Sequence, residues 1–560
     1  MGYELQLVLF ILLLMIATPL LGRYMAAVLC DEPTPIPVLT SLERSIYRIC
    51  QIDPAQEMNW KQYAKAAGWF NLLGLLFLFL LQLAQGWLPL NPQGFPAVAP
   101  ALAFNNAASF VTNTNWQSYG GEVTLSYLTQ MLGMTVQNFL SAATGSAVLL
   151  AFIRGISRKK VEILGNFWVD VTRTLVYLLI PLSIIMALLL VSQGVIQNLH
   201  AYVHVTGLTG GEQVLPMGPA ASQIAIKQLG TNGGGYFNAN SAHPFENATP
   251  FSNFLEAFAI LLIPAATTYM YGLLIKSRRQ GLMLFSTMFI LWIFSLAISL
   301  ISQELPNPTL GVNPVLEGQE VRFGVGNSVL WGVNATATSN GSVNAMLSSL
   351  SPLTGGMLLF NMMLGELIFG GVGVGLASML MFVILTVFLA GLMVGRTPEY
   401  LGKKIEKKEM QWVMLSILAP CALILIGTSL VTALPSSIQG RGNEGPHGFS
   451  EMLYAFTSTA ANNGSSFAGL NANTYFYNII LGIVMLITRV TILLPSLAIA
   501  GLLVRKNVMA PSMGTFATDN LLFVVLLIGV ILIVGALTFF PALSLGPIVE
   551  QILMLRGKAF

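Results

Sequence analysis

The sequence predicts an all-α polytopic membrane protein. Ten transmembrane helices are expected, with four pseudo-repeated units of helix, pore loop and helix around a central filter, plus one extra helix at each end. Three observations predict this. Only 9% of residues are charged and 55% are hydrophobic, with a mean hydropathy of +0.73, whereas a soluble domain carries about 25% charged residues. Apolar runs long enough to cross a bilayer recur along the whole chain. Between them a short uncharged motif returns four times: TNTNWQS (112–118), TNGGGYFNANS (231–241), TSNGSVN (338–344) and ANNGSSFAG (461–469).

Taken in order, apolar runs near 3–29, 66–90, 125–153, 168–195, 253–275, 281–303, 411–434, 475–504 and 521–550 mark spans. The stretch 351–394 is apolar throughout but too long for one straight crossing, so it reads as a broken tenth helix. The implied units are 1–30 as an extra N-terminal helix, 60–155, 165–275, 281–396 and 410–506 as pore units, and 520–560 as an extra C-terminal helix.

Basic residues orient the chain. With the N-terminus outside, inner loops hold Arg44, Arg48, Lys61 and Lys65, then Arg154, Arg158, Lys159 and Lys160, then Lys276, Arg278 and Arg279. Arg396, Lys403, Lys404, Lys407, Lys408, Arg505 and Lys506 follow on the same side. Outer segments hold only Lys227, Arg322, Arg441, Arg556 and Lys558. The net charge of +3 therefore reflects topology, not nucleic-acid binding. Arg23 is the first basic residue and the first apolar run is too long for a signal-peptide core, so this segment is expected to remain a span. Cys30, Cys50 and Cys421 form no CxxC pair and no even framework, which supports neither disulfides nor zinc.

With Asn113, Asn232, Asn340 and Asn463 as markers, the motifs are 119, 108 and 123 residues apart. Each follows a short apolar-to-small segment: 103–111, 219–230, 326–337 and 448–460. As re-entrant helices these would turn the negative end of their dipoles toward the motif, favouring a cation. Backbone carbonyls can replace an ion's hydration shell where glycine opens the backbone, and Gly233, Gly341 and Gly464 each follow an Asn, with Thr114 in that place in the first copy. The motifs contain no carboxylate, which argues against calcium or magnesium and for a monovalent ion. Composition leaves potassium, sodium and ammonium open. The triplets at Asn340 and Asn463 also fit a glycosylation acceptor, a reading at odds with a pore.

Two charges fall inside apolar segments, Glu366 in GELIFGGVGVG and Arg489 in ITRVTILLP. They are expected to form a salt bridge below the filter, either pinning two helices or gating the ion. Gly370, Gly371, Gly373 and Gly375 suggest a hinge in the broken helix, close helix packing being the alternative. An energy source is missing. There is no GxxxxGK[ST] run, no DKTGT and no large inner domain, so uphill transport would need ATP hydrolysis on another chain. The charged inner loop RTPEYLGKKIEKKE (396–409) is a candidate docking surface.

EMNWKQY (57–63), VTNTNWQSY (111–119), GTNGGGYFNANSAHPFEN (230–247), GRTPEYLGKKIE (395–406) and GPHGFSE (445–451) resemble the signatures of a known family over essentially the whole chain. It is the KdpA family, potassium-binding subunits of bacterial Kdp transport ATPases, related to the Trk and Ktr transporters. The resemblance implies a cytoplasmic (inner) membrane location and a periplasmic N-terminus. It implies capture of K+ by a four-loop filter and delivery through an intramembrane tunnel to KdpB, a P-type ATPase subunit, with KdpC and the small KdpF as further partners. It implies no catalytic centre and no tightly bound cofactor here. Carried over, the filter falls on Thr112, Asn113, Thr114 and Asn115; Thr231, Asn232 and Gly233; Ser339, Asn340 and Gly341; and Asn462, Asn463 and Gly464. Gln117 falls in the ion-affinity region, and Glu366 and Arg489 match the intramembrane charged pair.

Two other readings compete. A stand-alone Trk- or Ktr-like channel or symporter would share the loops but not the inner motifs. A polytopic enzyme would need convergent acid–base or metal-binding groups; His200, His204, His243 and His447 all fall outside the inner face, and His200 and His204, at i, i+4 spacing, have no carboxylate partner motif.

Overall fold

The structure, a computed structural model, describes residues 2–30, 36–312, 315–365, 367–509 and 516–558, with Ser436 by its backbone alone. Ten helices among these are long and apolar enough to cross a membrane, as the fold class requires. In chain order the principal helices are α1 (Tyr3–Cys30), α2 (Pro37–Ile49), α3 (Trp60–Trp87), α4 (Pro100–Val111), α5 (Thr129–Ser157) and α6 (Phe167–Ser192). Next come α7 (Ala220–Leu229), α8 (Pro250–Leu274), α9 (Arg278–Glu304), α10 (Val325–Ala337), α11 (Pro352–Met363) and α12 (Val374–Met393). The last four are α13 (Lys407–Ala433), α14 (Gly445–Ala460), α15 (Tyr475–Leu503) and α16 (Leu521–Leu555). The expected break in 351–394 is the non-helical segment between α11 and α12.

The spans form an inner and an outer layer. Most of α5, α8 and α12 is enclosed by protein, whereas α1, α3, α13 and α16 leave most of their apolar surface open. An exposed apolar side chain on a spanning helix faces lipid at no penalty, so Leu12, Leu73, Ile426 and Leu537 need no partner. α1 lies along α8, where the Phe10 ring meets Phe254 and Phe258 edge-on at 5.8 Å.

At one end the spans are fastened by polar contacts. α3 starts at Trp60 because Asn59 caps it, accepting from Lys61 N and Gln62 N while Gln62 reaches back to Asn59 N. Arg154 of α5 grips Asp170 of α6 through two hydrogen bonds of 2.6 and 2.7 Å, and Tyr63 of α3 donates to the same carboxylate at 2.8 Å. The loop 396–409 is partly folded into the body. Lys403 is buried and its ammonium donates to Gly155 O and Leu503 O (2.8 and 2.9 Å) and to Arg158 O, covering the C-terminal ends of α5 and α15. Lys404, Lys407 and Lys408 stay exposed.

Candidate functional site

Four short helices, α4, α7, α10 and α14, end in one way. Past each cap, a residue takes a left-handed conformation: Asn113 (φ 67°), Thr231 (51°), Ser339 (53°) and Asn462 (49°). The following N–H returns to a carbonyl five residues back, from Thr114 to Ser109, Asn232 to Lys227 and Asn340 to Ala335 (each 2.9 Å) and Asn463 to Ser458 (2.8 Å). This is a Schellman closure, which turns the chain sharply off the helix end. Glycine usually occupies the left-handed position. Here it holds polar residues, and the β-branched Thr231 is held there only by its surroundings.

That closure corrects the register of the first motif. Asn113 matches Thr231, Ser339 and Asn462, while Thr114 matches Asn232, Asn340 and Asn463. The glycine position of the first copy is Asn115 (φ 55°), not Thr114, opposite Gly233 (92°) and Gly464 (97°).

The four loops touch in a closed cycle. Asn113 Nδ2 donates to Thr231 O at 3.1 Å, and Asn232 Nδ2 to Asn113 Oδ1 at 2.5 Å. Gly341 N donates to Asn232 O at 3.2 Å. Ser339 Oγ reaches Ala461 O at 3.3 Å, and Asn463 Nδ2 reaches Ala335 O at 3.0 Å. Asn462 Nδ2 closes the cycle on Thr114 Oγ1 at 2.9 Å. The approach is close enough to exclude side chains: a Cβ on Gly233 would lie 2.0 Å from Gly341 N, and one on Gly464 would lie 1.9 Å from Thr114 O. Thr112 sits behind, its hydroxyl 2.7 Å from that of Thr114. Asn340 and Asn463 are fully enclosed, which leaves no acceptor surface for a glycan.

Above the ring lies a polar vestibule of about 650 Å³ lined by Gln117, Asn238, Asn344 and Ser466, one from each loop region. Gln117 ties the first loop to the second, accepting from Gly235 N at 2.8 Å and donating to Gly235 O at 3.0 Å. Below it, the break between α11 and α12 is bonded to the loops' underside. Val372 N donates to Thr231 Oγ1 at 2.9 Å and Gly370 N to Ala337 O at 3.1 Å. Gly370 and Gly373 have positive φ (62° and 81°) and a Cβ on Gly373 would lie 2.3 Å from Gly145 O. Gly371 does not share the positive φ of Gly370 and Gly373. Arg489 is buried and donates to Ser141 O at 3.1 Å. With Thr112 it lines an apolar cavity of about 320 Å³ that runs between Leu72, Leu75, Val490 and Leu494. The expected salt bridge of Arg489 involves Glu366, which lies outside the described residues.

Sequence reasoning missed three enclosed ionisable side chains behind the ring. Lys227 of α7 pairs with Glu246, and Glu256 of α8 lies beside them; all three are fully enclosed. The signal was available, since Lys227 is a lone cation in an otherwise uncharged short helix and Glu256 interrupts an apolar span. Among the histidines, His447 has a carboxylate partner, Glu550 at 2.7 Å.

Four inward-ending short helices within ten spans define a polytopic membrane protein with re-entrant loops. In fold the chain is similar to the potassium transporter TrkH from Vibrio parahaemolyticus, with a TM-score of 0.51 at 13% identity, covering 87% of this chain and 96% of that one. The family model of the potassium-transporting ATPase A subunit, KdpA, matches residues 8–552. Relatives named potassium-transporting ATPase potassium-binding subunit include that of Rhodospirillum centenum, 54% identical over 99% of this chain and 98% of that protein. Those of Methylococcus capsulatus (52%, covering 98% of each chain) and Pseudomonas aeruginosa (52%, covering 98% and 99%) are similar. The chain belongs to the KdpA family of potassium-transporting ATPase A subunits.

Proposed function

We propose that the chain is the potassium-binding and translocating subunit of a high-affinity, ATP-driven uptake complex in the bacterial inner membrane. The observation that carries this is the closed ring of four uncharged loops. Potassium enters the outer vestibule and sheds water against backbone carbonyls of Thr112–Asn115, Thr231–Gly233, Ser339–Gly341 and Asn462–Gly464. The carbonyls of Thr231, Asn232 and Gly233 each accept one hydrogen bond, from Asn113, Gly341 and Asn240, and each keeps a second lone pair for the ion. Four helix C-termini add partial negative charge, each roughly half an elementary charge. Gln117 sets the loop spacing at the entrance. Beneath the ring, Arg489 (with Glu366 as its expected counter-charge) and the break at Gly370–Gly373 stop free flow. The cavity between Thr112, Arg489 and Leu494 is the start of a lateral route toward a P-type ATPase partner of the KdpB kind. KdpC- and KdpF-like subunits complete the complex, and ATP hydrolysis occurs on the partner. The distribution of basic residues supports a periplasmic N-terminus.

The fold shared with TrkH favours one second reading, a channel or symporter working alone. The two separate in one experiment. Potassium-stimulated ATPase activity of the assembled complex should shift to higher potassium in Gly233→Asp, by about tenfold or more. An unchanged potassium dependence removes Gly233 from the filter, and ion flux through the purified chain alone supports the second reading.

A further inference from the structure

One side of the ring is backed by charge. The ammonium of Lys227 donates to Asn240 Oδ1 and Ser241 Oγ, both at 2.9 Å, and to Glu246. Glu246 also accepts from Phe237 N at 2.7 Å. Glu256 accepts from Gln228 Nε2 at 2.9 Å and Ser241 Oγ at 3.0 Å. From this cluster three connections lead straight into the second and third loops. Asn240 Nδ2 donates to Gly233 O at 2.9 Å. Gln228 Oε1 accepts from Asn340 Nδ2 and Ser342 Oγ at 3.1 and 3.0 Å. The Lys227 carbonyl accepts from Asn340 Nδ2 at 3.1 Å as well as from Asn232 N and Gly233 N. The first and fourth loops bond to Asn138, Ser141, Met485 O and Thr488, and the charge behind them is Arg489, which donates to Ser141 O at 3.1 Å.

A buried ion pair is a poor device for stability, because desolvation offsets most of its attraction. What it supplies is direction: charge-assisted hydrogen bonds are short and strongly oriented. Asn240 and Gln228 are thereby held with one amide face toward the cluster and the other toward a filter loop. A binding constellation works only if its atoms stay within about 0.5 Å of the productive geometry.

We propose that Lys227, Glu246 and Glu256 are positioning residues for ion discrimination, fixing the spacing of the second and third loops through Asn240 and Gln228. This rests on the potassium-filter reading. The test uses the assembled transport complex, with ATPase activity measured against potassium, rubidium and sodium. Glu256→Gln keeps the shape while altering the hydrogen bonds to Gln228 and Ser241, and Lys227→Met with Glu246→Gln removes the ion pair without stranding either charge. Both should lose about tenfold of the preference for potassium over the other ions, with maximal rate changed less than about twofold. A cluster that only supports folding would lower the yield of complex and leave the ion ratios untouched. If the double variant does not assemble, Glu256→Gln decides alone. Unaltered ion ratios in the assembled variants overturn the proposal. If Gly233→Asp is also without effect on ion dependence, the filter reading itself has failed.

Discussion

After the helix cap and its two turn residues, the second, third and fourth pore loops carry glycine, whereas the first carries Asn115. The glycines are there because a neighbouring backbone leaves no room: Gly233 faces Gly341, and Gly464 faces Thr114 O. Asn115 escapes the restriction because its neighbour yields instead. A Cβ on Gly234, in the second loop, would lie 2.8 Å from Asn115 Nδ2. Asn115 then uses its amide, donating to Asn138 Oδ1 at 2.6 Å. The glycine missing from one loop reappears in the loop beside it. Symmetry in this ring is a property of the backbone, and residue type follows from whichever side of each junction gives way.

That contrast is sharpest at Gly464. Its φ of 97° and the 1.9 Å approach to Thr114 O make Gly464→Ala the most damaging single substitution. Potassium-stimulated ATPase activity should need at least about tenfold more potassium, or the complex should not assemble. A normal profile with normal yield would show that the fourth and first loops are not in contact. A weaker effect belongs to the Asn115–Gly234 junction. Gly234→Ala should raise the potassium requirement about threefold to tenfold, and adding Asn115→Gly should recover part of the loss, a coupling of about 1 kcal/mol. Recovery stays partial because a Cβ on Gly234 also lies 3.0 Å from the Phe110 ring. Strictly additive losses would deny the exchange of space between these two residues.

Much of the fold is legible in the sequence because a bilayer demands length and apolarity, and both are written linearly. The short helices were readable as apolar-to-small segments, and the excess length of 351–394 announced a break. The register of the first loop was not readable. Asn113 and Thr114 are equally polar, and only the left-handed turn at Asn113 shows which of them corresponds to Asn232. The charge cluster was hidden differently. Glu246 and Glu256 are distant in sequence from Lys227, and a lysine on the outer side looks the same whether it marks topology or is enclosed. Lys403 repeats the lesson in the basic loop 396–409, where one lysine is buried on helix ends and Lys404, Lys407 and Lys408 are not. Linear patterns report which side of the membrane a charge is on, not whether protein closes over it.

The smallest effect expected concerns how α4 and α14 are held at their N-terminal ends. α4 begins at Pro100 with no titratable group in its first turn, whereas α14 is tied to α16 by His447 and Glu550. Burial by itself lowers the pKa of His447, but the hydrogen bond and charge of Glu550, helped by Glu451, outweigh it and hold the imidazole above its ordinary value. A histidine raised in the folded state contributes fully below its unfolded pKa of about 6.5 and loses that contribution as pH rises through the folded value. Glu550→Gln should therefore lower the thermal midpoint most at about pH 6, by an amount equivalent to about 1 kcal/mol, and progressively less toward about pH 9. Potassium affinity should change less than about twofold, because the tie lies at the far end of α14 from the ring. A stability difference that is flat across this range would mean that the pair carries no charge-dependent share, leaving the fourth loop supported in the same neutral way as the first.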